Sequence, residues 1–68
     1  MKISARNQLT GKVVDIKEGA VNAKVVVDLG NDKLISSIIS MDALNELEIK
    51  IGSEVTTVIK ASSVMLMA

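Results

Sequence analysis

Cysteine and histidine are both missing from this 68-residue chain, and so is every aromatic side chain. Without cysteine no disulfide can reinforce the fold, and without either residue a zinc or copper site lacks its usual ligands. The same gaps remove the usual general base and thiol nucleophile of neutral-pH catalysis. No Gly-x-Ser-x-Gly elbow or Ser-x-x-Lys motif takes their place, so the chain is not expected to be an enzyme. No phosphate-cradling loop or dinucleotide fingerprint is present, and the carboxylates lack the close alternation of a calcium loop. Net charge is absent too. Eight basic and eight acidic residues, spread along the chain, cancel and leave no basic stripe for a nucleic-acid backbone. No apolar run approaches the roughly eighteen residues that span a bilayer, and the start of the chain lacks a charged-then-apolar export signal. These features predict a soluble, cytoplasmic protein without a membrane partner.

What is present is small and aliphatic. Hydrophobic residues make up 49% of the chain, so the core has to be assembled from many modest side chains. A chain of this length buries only about 60% of its unfolded surface by folding alone. Disulfides and a zinc site being excluded, partner subunits are the reinforcement left. No linker, low-complexity segment or internal repeat divides residues 1–68, which read as one domain.

Along the chain, Val13, Val14 and Ile16 set up a strand between Gln8 and Lys17, with a bulge or bend expected at Gly11. After a turn at Glu18-Gly19, the alternation of Val21, Ala23, Val25, Val27 and Leu29 predicts the clearest strand. Gly30-Asn31-Asp32 reads as a hairpin turn. The third strand, Lys33 to Ile39, is apolar on both faces apart from paired serines, which predicts burial by its own core on one side and another subunit on the other. Ser40 is a helix N-cap candidate before Met41–Leu47, with Asp42 in the first turn and apolar positions at 41, 44 and 47. After a turn at Gly52-Ser53, Glu54 to Lys60 alternates as a further strand, and Val64 to Met67 is expected as a last short one. The periodicity supports an all-β fold with one short helix. Four or five short strands with a helix after the third is the order of an OB-type Greek-key barrel.

Hydrogen-bond donors gather at both ends of the chain. Ser4, Arg6, Lys60, Ser62 and Ser63, with the backbone amides near Ala5 and Ala61, can donate to one small anion. Read alone, Arg6 is a surface ion-pair residue, Lys60 a solvated strand-end lysine, and Asn7 and Ser62 turn or strand-end residues. Convergence of the two ends requires either that the fold bring the termini together or that two subunits face each other.

Ser4-Ala5-Arg6-Asn7-Gln8-Leu9, followed by Gly11-Lys12-Val13-Val14 and ending in Val58-Ile59-Lys60-Ala61-Ser62-Ser63-Val64-Met65-Leu66, resembles the molbindin (Mop) family of small molybdate-binding proteins over essentially the whole chain. The resemblance implies a closed OB-type barrel of about five strands and a homo-oligomer, a hexamer built as a trimer of dimers. It also implies oxyanion sites where Ser4, Ala5 and Arg6 of one subunit meet Lys60 and Ala61 of another. Ser40 falls where related molybdate-responsive domains carry a hydroxyl, a role compatible with capping the helix; Asn7 and Ser62 are further ligand candidates. The implied ligand is molybdate, with tungstate close behind it in size and charge, and no organic cofactor. The implied role is intracellular storage or homeostasis. A donor-only site disfavours phosphate, whose retained proton meets a donor instead of an acceptor. The alternatives are an OB-fold nucleic-acid binder, which the lack of aromatics and of net positive charge opposes, and a regulatory oligomerisation module that senses the anion.

Overall fold

The computed structural model describes residues 2–68. Four antiparallel strands run β1 (Asn7–Glu18), β2 (Asn22–Asp28), β3 (Leu34–Ser40) and β4 (Glu54–Ile59), with helix α1 (Met41–Glu46) between the last two. The sheet order is β3-β2-β1-β4. The long β1 therefore serves as the central strand, pairing with β4 through its first half and with β2 through its second.

Alternation explains which side chains go inside. Ala23, Val25 and Val27 of β2 are buried, with Val13 of β1 and Leu44 of α1 completing the fully buried core. Ile16, Leu29, Ile35, Ile39, Met41, Ile49 and Val55 pack around them. Val21, read from its periodicity as part of the inward set, lies before β2 and is exposed.

The bulge falls at Val14 rather than at Gly11. Val13 pairs with Val27 and Asp15 with Val26, so Val14 is the extra residue. This resets the alternation: Val13 and Ile16, three positions apart, both turn inward, while Val14 is exposed. Gly11 remains in regular register with Val55 and has a different task. A Cβ there would lie 2.5 Å from the Asp28 carbonyl oxygen and 2.7 Å from Val27 Cγ1. Only glycine lets the strands approach so closely.

The predicted hairpin turn is present, with positive φ at Gly30, Asn31 and Asp32 and the Asp28 carboxylate accepting from the Gly30 amide at 2.8 Å. Ser40 caps α1, its Oγ accepting from the Ala43 amide at 3.0 Å. Helix α1 is anchored at its start by the Met41 amide donating to the Val21 carbonyl and near its end by the Ile49 amide donating to the Leu44 carbonyl. Leu44 is thereby pressed onto the core.

The sheet curls into a half-barrel whose edges, β3 and β4, do not pair. Between them lies an apolar groove of about 500 Å³ lined by Val25, Val27, Ile35, Ile39, Val55 and Ile59 among others. The fifth strand expected at Val64–Met67 does not form within the chain. Ala61–Ser63 make a single 3₁₀ turn, after which Val64 to Met67 run on without strand pairing. Apolar alternation marks a segment that needs cover, but a strand also needs a neighbouring edge, and this turn does not lead the segment onto one. No helix among the described residues is long and apolar enough to cross a membrane.

Candidate functional site

The two donor-rich segments are neighbours in one chain. Asn7 pairs with Ile59, so the lead-in Ser4–Arg6 emerges from the sheet beside Lys60 and the turn that follows it. Antiparallel pairing of the first strand with the last joins segments more than fifty residues apart in sequence.

Two carboxamides hold this corner. Asn7 Nδ2 donates to the Ile59 carbonyl at 3.3 Å, clamping the start of β1 to the end of β4, and Gln8 Nε2 donates to the Ala5 carbonyl at 3.1 Å. Asn7 thus ties the lead-in to the end of β4, and Ala5 is half-buried while Ser4 and Arg6 on either side of it are exposed. Gln8 stands in the opening motif but not among the expected ligands; the structure shows it bracing the lead-in through Ala5.

Across the corner, the Ser63 amide donates to the Lys60 carbonyl at 2.8 Å and the Val64 amide to Ala61 at 3.3 Å. The amides of Ala61 and Ser62 open the turn and take no part in its hydrogen bonds. Ser4, Arg6, Lys60 and Ser62 contribute to none of the side-chain hydrogen bonds of the described residues. Two cationic groups, two hydroxyls and two amides therefore crowd one corner without internal partners.

The charges around that corner are not evenly spread. Residues 1–14 and 55–68 hold Lys2, Arg6, Lys12 and Lys60 and no aspartate or glutamate, whereas all eight carboxylates lie within residues 15–54. The zero net charge hides a separation: four positive charges on the terminal segments, and four lysines against eight carboxylates, net four negative, in the middle. Lys12 is flanked across the strands by Glu54 and Asp28. Arg6 and Lys60 lie just beyond the paired residues, in segments that hold no aspartate or glutamate, and their like charges attract an anion.

Ser40 lies elsewhere. It pairs with Asn22, at the end of the sheet where β1 finishes, while Asn7 is at the end where β1 begins. A single chain does not bring Ser40 to Arg6 and Lys60. Acidic residues Glu18, Asp42 and Glu46 belong to the elements at that end. No group of three or more acidic, histidine or cysteine side chains that could hold a metal cation occurs among the described residues.

Comparison with known proteins places the chain in a family. The TOBE domain model matches residues 3–66. Molybdenum-pterin-binding protein 1 of Clostridium pasteurianum is 52% identical over 68 residues, covering all of both chains. The solved molybdate-binding protein of Sporomusa ovata superposes with a TM-score of 0.94 at 34% identity, again over the whole of both chains. The cytoplasmic molybdate-binding protein ModG, solved with molybdate bound, matches 90% of this chain and 43% of its own with a TM-score of 0.86 and 44% identity. Its neighbours' shared fold is the curled sheet seen here, and the similarity runs through both donor segments: the chain belongs to the TOBE domain family, among the small molybdenum-pterin-binding (Mop) proteins.

Proposed function

We propose that this protein binds molybdate, and tungstate alike, as a tetrahedral dianion, and serves in cytoplasmic storage or homeostasis of the anion rather than in catalysis. The observation that carries this reading is the β1–β4 register, which sets Ser4–Asn7 beside Lys60–Ser62, two segments that hold no aspartate or glutamate. Arg6 and Lys60 supply charge-assisted hydrogen bonds. Ser4 and Ser62 supply hydroxyl donors, and the amides of Ala5 and Ala61 complete a shell of donors around an acceptor-only ligand. Asn7 positions the segment. The relatives' names mention a pterin, but this donor set suits the inorganic anion itself.

Assembly belongs to the same reading. Val64, Met65, Leu66 and Met67 are 46%, 93%, 94% and 99% exposed, and Leu34 and Ile38 on the outer face of β3 are 63% and 72% exposed. So much exposed apolar surface on a small chain favours cover by further copies. In a homo-hexamer built as a trimer of dimers, Ser40 of a neighbouring copy can reach a site that its own chain does not offer it. Its oxygen accepts from Ala43, and its O–H remains to donate to an anion. The cytoplasmic description of ModG supports the location.

Calorimetry with molybdate, tungstate, sulfate and phosphate on the wild type and Arg6→Ala tests the site. Strong heats for the first two anions, lost in the variant, are expected. Equal or absent heats for all four sink the proposal. Native mass spectrometry with and without molybdate tests the assembly, and a monomer at micromolar concentration under both conditions rules out an intersubunit site.

A further inference from the structure

The chain has no cysteine, so methionine is its only sulfur-bearing side chain. Two of the four methionines sit together in the C-terminal segment, where Met65 is 93% and Met67 99% exposed. Met41, by contrast, is half-buried and packs against the core. Positions 65 and 67 are two residues apart, so in an extended segment both thioethers point the same way. Val64, where this segment begins, has extended backbone with φ −90° and ψ 119°.

We propose that Met65 and Met67 form an oxidation-sensitive latch on self-assembly. The inference rests on the assembly reading above, in which a second copy covers this segment. On the uncovered chain each thioether takes the terminal oxygen of one hydroperoxide molecule, so the pair consumes two. An S–O bond forms as the O–O bond breaks, the sulfur is oxidised by two electrons, and the peroxide is reduced to water or alcohol. The product is a polar sulfoxide on a side chain that was an adaptable apolar filler. Two such groups on one side of the segment oppose its burial against another copy, because each carries a strong acceptor into an apolar contact. From Val64 to Met67 the segment holds no charged, hydroxyl or amide side chain, so the thioether state sets the polarity of its side chains. Reduction of the sulfoxides restores the apolar segment and with it the capacity to assemble.

The test compares three samples in a native mass spectrometry dilution series. They are untreated wild type, wild type treated with hydrogen peroxide until peptide mapping places one added oxygen on each of Met65 and Met67, and the Met65→Leu/Met67→Leu variant given the same treatment. Untreated wild type and the treated variant are expected to assemble over the same concentration range. The oxidised wild type is expected to need at least about tenfold more protein, and methionine sulfoxide reductase with a dithiol is expected to return it to the untreated curve. Unchanged assembly of doubly oxidised wild type overturns the latch. Equal loss of assembly in the treated variant also overturns it, by placing the sensitive group elsewhere. Untreated wild type that stays monomeric throughout fails the assembly reading itself, a result distinguishable because it requires no oxidation.

Discussion

The two ends of β1 present hydroxyl-bearing corners of opposite character. At the Ser40 end the hydroxyl oxygen already accepts from the Ala43 amide, and the neighbouring elements carry Glu18, Asp42 and Glu46. At the Arg6–Lys60 end Ser4, Arg6, Lys60 and Ser62 take part in no side-chain hydrogen bond among the described residues, and the flanking segments carry no aspartate or glutamate. A polar group satisfied within the chain contributes to stability, and one left unsatisfied in a positive field is available to a ligand. Serine is thus engaged within its own chain at one end and takes part in no side-chain hydrogen bond among the described residues at the other.

The sharpest way to break this contrast is to neutralise the Arg6–Lys60 end. Arg6→Ala/Lys60→Ala is expected to weaken molybdate binding by about 100-fold or more, since each lost charge-assisted hydrogen bond is worth roughly 1.5–3 kcal/mol. Isothermal titration reads the loss, and melting of the anion-free protein at matched concentration should change little because both side chains are exposed. Next in size is Gly11→Ala, which forces a methyl group against the Asp28 carbonyl. It should cost about 1–3 kcal/mol in denaturant unfolding while removing no donor. Should it prove neutral, the close approach of β1 to β2 is not a constraint.

Ser40→Ala loses the cap and should cost about 1 kcal/mol of stability, read as a melting temperature lower by about 4–8 °C. Its effect on anion affinity should be smaller than that of either charged-residue change; an equal or greater effect would reverse the assignment of the two corners. Smallest is the salt effect. Raising ionic strength from about 0.01 to 0.15 M shortens the screening length from roughly 30 to 8 Å. Molybdate affinity should fall by a few-fold at most, because the dominant contacts are short hydrogen bonds.

The elements were largely legible because their signals are local. Ser40 marked the start of α1 and Gly30-Asn31-Asp32 marked the turn, and both stand as read. The inward alternation that marked β2 held for Ala23, Val25 and Val27 but not for Val21, which lies before the strand and is exposed. Val14 and Gly11 could not be told apart as bulge candidates, since a bulge is defined by which partner residues lie opposite it. Val64–Met67 carried the apolar pattern of a strand, but pairing depends on an edge that sequence does not display. Charge separation was hidden in the same way: counted along the chain the charges balance, and only the pairing of β1 with β4 gathers the carboxylate-free segments on one side.

By itself the amino-acid sequence determined the chemistry available. It supplies donors without histidine, thiol or aromatic rings, an aliphatic β-rich core, and a chain too small to bury all of its apolar surface. Tertiary structure alone decided where that chemistry meets. The register of Asn7 against Ile59 draws Arg6 and Lys60 into one corner and leaves Ser40 at the other end of the sheet. The reason is physical: side-chain type and alternation are properties of short segments, whereas convergence of donors depends on hydrogen-bonded pairing between strands far apart in sequence.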